Sequence, residues 1–417
     1  MQMNYVEKAE CLLDAGSLGN MNFTIIVAYR GDLTQKLLEA AFEFIQSEHQ
    51  TLRTSLRWTD GDCSFSNTHA SVPLRQLTYT DKSQWKMVAR EDVRQKFQDE
   101  QLPLWRVSWL DGKNQGQLLI TFHHAIADGV CGMALVDQLF SVLEQLKKGK
   151  NPQPLGFDSR GLRLESLNVL TDIDPEPEAA PEEREDKNYH TNFVLGELDS
   201  SATSRVISWA KANQVKLTAV LFAALLLAIR RVTKSTSPII DASTVVNFRP
   251  FLSPMLPKGC MRLTRVCVIT PVPINEFDDM ANLAKFIHGD LHARLAAGEH
   301  IVNLKRIARR VQKQESAQSI WRRARVPDHL VILTNIGNLE FSGDYSELSI
   351  EKLFFIANIE PAFDSADNWI LGANTFRNEM FLTLWYLEEL VDESSAQQVL
   401  LEMKKILEGL QRIELER

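Results

Sequence analysis

The chain contains no apolar run long enough to cross a bilayer. Its most hydrophobic stretch, from Leu217 to Ile229, is closed at once by Arg230 and Arg231. At that length it reads as a buried helix, since a span needs about 20 residues. Cysteine is sparse: Cys11, Cys63, Cys131, Cys260 and Cys267 are scattered and odd in number, with no CxxC pair and no Cys/His cluster. That pattern suggests neither a disulfide framework nor a zinc site, and no metal is expected. Positive charge is not in excess. With 46 Lys+Arg against 54 Asp+Glu the net charge is −8, which argues against nucleic acid as a main partner. The N-terminus carries Glu7, Glu10 and Asp14 and no long apolar core, unlike a signal peptide. The cytoplasm is the expected compartment, and an integral membrane protein is not expected. No Gly-x-Ser-x-Gly elbow appears and no cysteine has a recognisable catalytic context, so a covalent nucleophile is not expected.

What is present is ordinary globular material in quantity. The 417 residues, 44% hydrophobic and 24% charged, are long for one domain and comfortable for two. Composition divides them. From Asn151 to about Lys187 periodicity fades, and Asp172 to Glu183 is acidic and proline-rich, as an exposed crossover would be. The expected organisation is an N-terminal half at 1–150, a linker at 151–189 and a C-terminal half at 190–417. Before the linker, strand patterns at 23–29, 52–58, 105–109 and 117–122 alternate with helical ones near 33–46 and 84–100. After it come helices near 203–212 and 218–232, strands near 239–246, 265–270, 331–334 and 353–359, and a hairpin of 369–375 with 379–386 turning at Arg377 and Asn378. A final amphipathic helix is expected at 396–410. The fold class is therefore α/β with mixed sheets in two halves.

The most informative residues are His123-His124-Ala125-Ile126-Ala127-Asp128-Gly129. They follow the apolar strand pattern Leu118–Phe122 and precede a helical pattern from about Val130 to Leu146, so the segment reads strand, corner, helix. Such corners hold polar side chains at an open edge, and a His near a buried Asp is a standard general base. Adjacent side chains of an extended segment face opposite ways, so one His is structural and the other available to substrate. Asp128 precedes a helix and suits an N-cap. Gly129 fits a corner needing positive φ or a close backbone approach, with its amide at a helix start where N–H groups lack partners.

This segment resembles the HHxxxDG signature of condensation-domain and chloramphenicol-acetyltransferase-like acyltransferases. Other segments resemble the family in the expected order: His49-Gln50-Thr51-Leu52-Arg53-Thr54, Pro103-Leu104-Trp105-Arg106, Asn247-Phe248-Arg249-Pro250 and Thr334-Asn335-Ile336-Gly337-Asn338. The motif is fairly specific, whereas each of the others alone would be weak. Free-standing alcohol acyltransferases and polyketide-associated acyltransferases of secondary metabolism are the nearest in character. The resemblance implies two chloramphenicol-acetyltransferase-like halves set as a V with a tunnel at their junction. It implies His124 as the base with His123 behind it, and Asp128 as an organiser ion-paired with Arg249. It also implies no permanently bound cofactor, with acyl-CoA or a phosphopantetheine thioester as co-substrate.

Asn335 and Gly337 are candidates to line the substrate site or meet an oxyanion, or else are turn residues at a strand end. Phe122, Phe248 and Trp369 are candidate tunnel liners, with core the safer reading. Lys305, Arg306, Arg309, Arg310, Lys313, Arg322, Arg323 and Arg325 concentrate positive charge around the single acid Glu315. Arg309, Arg310, Arg322 and Arg323 either dock coenzyme A phosphates or the acidic surface of an acyl carrier protein, or lie on a solvated helix paired with acids elsewhere. The expected function is transfer of an acyl group from a thioester to a hydroxyl by a monomeric enzyme. The alternatives are an amide-forming condensation with an amine acceptor and a silent binding module of the same fold.

Overall fold

The computed structural model describes residues 3–16, 20–155, 189–233, 237–252, 255–323, 329–359, 365 and 367–411. The acidic proline-rich segment, 172–183, lies outside them. The strands, in chain order, are β1 (Asn22–Arg30), β2 (Thr54–Thr59), β3 (Asp62–Asn67), β4 (Leu74–Thr78), β5 (Trp105–Gly112), β6 (Gln115–His123) and β7 (Thr191–Leu198). There follow β8 (Ile240–Asn247), β9 (Arg265–Val272), β10 (Leu330–Asn338), β11 (Asp344–Tyr345), β12 (Leu348–Ala357), β13 (Trp369–Phe376) and β14 (Glu379–Leu387). The helices are α1 (Tyr5–Gly16), α2 (Gln35–Glu48), α3 (Gln84–Arg94), α4 (Gly129–Lys147), α5 (Ser200–Ala212), α6 (Leu217–Thr233), α7 (Met280–Ala296), α8 (Glu299–Gln312), α9 (Ala317–Arg323) and α10 (Glu393–Glu408).

Two six-stranded mixed sheets result, ordered β11-β12-β1-β6-β5-β4 and β7-β14-β13-β10-β8-β9. At the centre of the first, β1 and β6 run antiparallel with Asn22 opposite His123 and Ile25 opposite Ile120. Their apolar side chains are buried on both faces, the mark of a strand covered by helices on one side and the rest of the molecule on the other. Where polarity intrudes it is answered: Thr24 and Thr121 share a hydrogen bond of 2.8 Å across the pair. In the second sheet the buried helix expected at 217–229 is α6, packed against α7 and α10. The β13–β14 hairpin turns at Arg377 and Asn378, both left-handed (φ 50° and 64°), as a tight hairpin turn requires.

Strands β3, β4, β7 and β11 were not expected from the sequence, and three further differences bear on the site. Helix α3 stops at Arg94 rather than near 100. Asp99 and Glu100 would place negative charge on the negative end of a longer helix, and the Arg106 guanidinium instead takes the carbonyls of Asp92 and Gln95. Helix α1 was not anticipated. Most consequentially, β12 leaves the C-terminal part of the chain and pairs antiparallel with β1, Ile25 lying opposite Phe355. The two sheets therefore do not separate at one chain position. Among the described residues no helix is long and apolar enough to cross a membrane.

Candidate active site

Strand β6 ends at His123, and the chain turns with the Ile126 amide on the His123 carbonyl at 3.1 Å. That break lets the two histidines part. The His123 ring is 1% exposed, accepts the Ala125 amide at Nδ1 (3.0 Å) and directs Nε2 toward Asp14, 3.7 Å away. It does not line the cavity described below. The His124 ring instead lies on Phe23, with centroids 4.6 Å apart, and lines a cavity of about 530 Å³. Its Nδ1 donates to the Ala127 carbonyl at 3.1 Å. That fixes the tautomer and leaves the Nε2 lone pair without a protein donor among the described residues. Burial first, and the positive charge of Arg265 second, lower its pKa to about 3, so the imidazole is neutral near pH 7.

Asp128 caps α4, one carboxylate oxygen accepting the Val130 and Cys131 amides at 3.1 Å each. The other accepts Arg249 Nη1 at 2.7 Å and both the amide and hydroxyl of Thr264 at 2.9 Å. Burial pushes this carboxyl up, yet Arg249 and the amides outweigh it and hold the pKa below the ordinary aspartate value. With every lone pair engaged, Asp128 organises and does not carry a proton. Arg249, buried like its partner, also donates to the Arg262 carbonyl at 2.9 Å. The ion pair joins the turn before α4 to the segment after β8. Cys131, beside it, has its thiol pushed up to about 12 by burial and is no nucleophile at neutral pH.

The structure sorts the remaining candidates. Gly129 begins α4 and lines the cavity without a left-handed backbone, so positive φ does not explain it. An added Cβ there would meet the Ile336 side chain at 2.9 Å. Asn335 lines the cavity, its carboxamide accepting the Gly337 amide at 3.0 Å and donating to Thr218 at 3.4 Å. Gly337 is left-handed (φ +86°), sits at a register shift of β10 and is not a lining residue. Of the basic cluster, Arg310 lines the cavity and Arg309 and Arg322 do not; the Arg323 side chain lies outside the described residues. Phe122, Phe248 and Trp369 are core, each no more than 1% exposed. The aromatic liners are Phe23, Phe355 and Trp385.

What sequence reasoning missed is the contribution of α1. Glu7, Glu10 and Asp14 fall three and four apart on one helical face. Glu7 holds Arg262 at 2.6 and 2.7 Å, Glu10 holds Arg265 at 2.9 Å, and Asp14 lies by His123. Arg265, with Asn303 and Arg306 of α8, forms a polar wall of the cavity. The signal was there in the spacing of the three acids, but nothing local names partners so distant in the chain.

Three family models match: the condensation domain over residues 13–159, the C-terminal region of phthiocerol/phthiodiolone dimycocerosyl transferase over 191–372, and the wax ester synthase/diacylglycerol acyltransferase catalytic domain over 89–245. The cyclosporin synthetase of Tolypocladium inflatum is 26% identical over 270 residues, 57% of this chain and 2% of that protein. The chain thus spans a small fraction of such multidomain relatives. Polyketide synthase associated protein 5 from Mycobacterium tuberculosis shares the fold at a TM-score of 0.66 and 18% identity, over 97% of this chain and 96% of that one. Trichothecene 15-O-acetyltransferase from Fusarium sporotrichioides does so at 0.67 and 12%, over 99% and 95%. Family models matching each half, and a fold shared from end to end, liken the chain to the condensation domains and chloramphenicol-acetyltransferase-like acyltransferases.

Proposed function

We propose that the chain transfers an acyl group from a thioester, acyl-CoA or a carrier-bound phosphopantetheine, to a hydroxyl acceptor without an acyl-enzyme. One observation carries the reading: a neutral imidazole, its tautomer fixed by Ala127, sits on the wall of a largely apolar cavity with Nε2 unpaired among the described residues. His124 Nε2 takes the acceptor proton as its oxygen attacks the thioester carbonyl. The Gly129 amide, left over by the Asp128 cap, and the Asn335 side chain are the groups on hand to receive the oxyanion. The tetrahedral adduct then collapses, the C–S bond breaks, and the imidazolium returns its proton to the departing thiolate. His123 and the Asp128–Arg249 pair hold the turn in place. Arg309, Arg310, Arg322 and Arg323 would meet the donor's phosphates or an acidic carrier protein, and the chain would work as a cytoplasmic monomer.

The test is release of free thiol from a panel of acyl thioesters in the presence of alcohols. His124→Ala should keep its circular dichroism and lose about 10²–10⁴-fold in rate. Full turnover in that folded variant would falsify the mechanism, and no thiol release from any wild-type pairing would leave a silent binding module. A second reading has its own support. An imidazole with a pKa of about 3 is a weak base, and an amine needs less deprotonation to attack than an alcohol does. Amide formation is therefore the alternative, separated from ester formation by the mass and alkali stability of the product.

A further inference from the structure

Arg265 follows Thr264, the residue whose amide and hydroxyl hold Asp128, so β9 carries its guanidinium to the same part of the cavity as His124. Its Nη2 binds Glu10 at 2.9 Å, and no other partner of the guanidinium is found among the described residues. Glu10 in turn has a buried oxygen, Oε2, with no donor. Nearby, Arg306 is turned onto Asn303, its Nη1 2.9 Å from that carboxamide oxygen. Asp128 is neutralised from behind by Arg249. With Asp128 so engaged, Glu10 is the acid of the lining that faces Arg265 and Arg306. Much of the remaining lining, including Phe23, Ile332, Phe355, Ile370 and Trp385, is apolar.

We propose that Arg265 binds a carboxylate of the acceptor, so that the acceptor is a hydroxy- or amino-carboxylate whose nucleophile is delivered to His124. This rests on the acyl-transfer reading above. The guanidinium fork has donors to spare and matches a carboxylate in plane. The donor's own phosphates do not explain it. A long pantetheine arm separates them from the thioester, which places them far from the residue beside the base when the thioester carbonyl is at His124. The apolar part of the lining takes hydrocarbon. The carboxylate would also offset the cation that weakens His124, restoring base strength as the acceptor binds.

Calorimetry with 3-hydroxybutyrate, 3-hydroxydecanoate, 3-hydroxyhexadecanoate and their methyl esters tests this without turnover. Wild-type protein should bind at least one acid about ten- to a hundredfold more tightly than its ester, the range of a hydrogen bond to a charged group. In Arg265→Met the ratio of acid to ester affinity should fall to near one, and Arg265→Lys should restore part of it. Equal binding of acids and esters by the wild type, or no binding of any acid, overturns the proposal. So does a ratio unchanged in Arg265→Met, or a loss in that variant confined to coenzyme A. Acid-selective binding with no thiol release from any thioester would retain the anion site and sink the transfer reading; transfer to ester and acid alike would do the reverse.

Discussion

A histidine and an aspartate four residues apart contribute to the acid sensitivity of this protein. In the unfolded chain the His124 imidazole titrates near its ordinary 6.5, whereas in the fold burial and Arg265 hold it at about 3. Between those values the unfolded state binds the extra proton, so the contribution to stability is complete above pH 6.5 and declines as pH falls toward 3. Asp128, also lowered in the fold, adds a loss in the same direction at more acid pH. The urea midpoint is expected to fall steadily from pH 7.5 to 4.5; a midpoint level or rising over that range would contradict a buried neutral His124. At this scale the sequence was informative where chemistry is local. Alternation along β6 already separated His123 from His124, and an Asp ahead of a helix already suggested a cap. Arg265 carries no motif, and its place in the site comes from Thr264 beside it and Glu10 bonded to it, neither of which spacing discloses.

Helix α1 shows how an element acquires a role from partners far along the chain. Its apolar side supplies Val6 and Leu13 to the cavity, while the three acids face Arg262, Arg265 and His123. Glu7 is the most committed, fully buried against Arg262 and also accepting the Asn4 amide at 2.9 Å. Removing one member of a buried pair leaves the other charge uncompensated. Glu7→Ala should therefore cost about 3–5 kcal/mol in denaturant unfolding, and Glu7→Ala with Arg262→Met should recover a good part. A single-variant loss below about 0.5 kcal/mol, typical of a surface site, would mean the pair is solvated. The spacing of the acids was legible but their partners were not, because these lie more than a hundred residues onward. Helix α3 was overextended for a related reason: the residue that ends it, Arg106, belongs to the next strand.

For the molecule as a whole the decisive feature is β12, which leaves the later half of the sequence to sit beside β1 in the first sheet. Mixed sheets on either side of an acidic crossover were legible from pattern, since each strand carries its own periodicity. Which sheet a strand joins was not, because β12 is apolar on both faces from Leu353 to Ala357 and suits either. Without it, β1 would present an unpaired edge of apolar residues. A fragment of residues 1–155 is thus expected to be aggregated or unfolded, by size exclusion and circular dichroism; a monomeric, cooperatively melting fragment would show that β12 is dispensable.

Phe355 of this strand packs against Trp385 of the second sheet, centroids 5.6 Å apart, and both line the cavity. The crossing thus constrains anyone grafting substrate preference from one homologue to another. A chimera joined in the crossover would marry an early half to a foreign β12 that forms part of its own cavity wall. Transplants should instead carry residues 344–357 together with the early half, so that the borrowed strand travels with the sheet it completes.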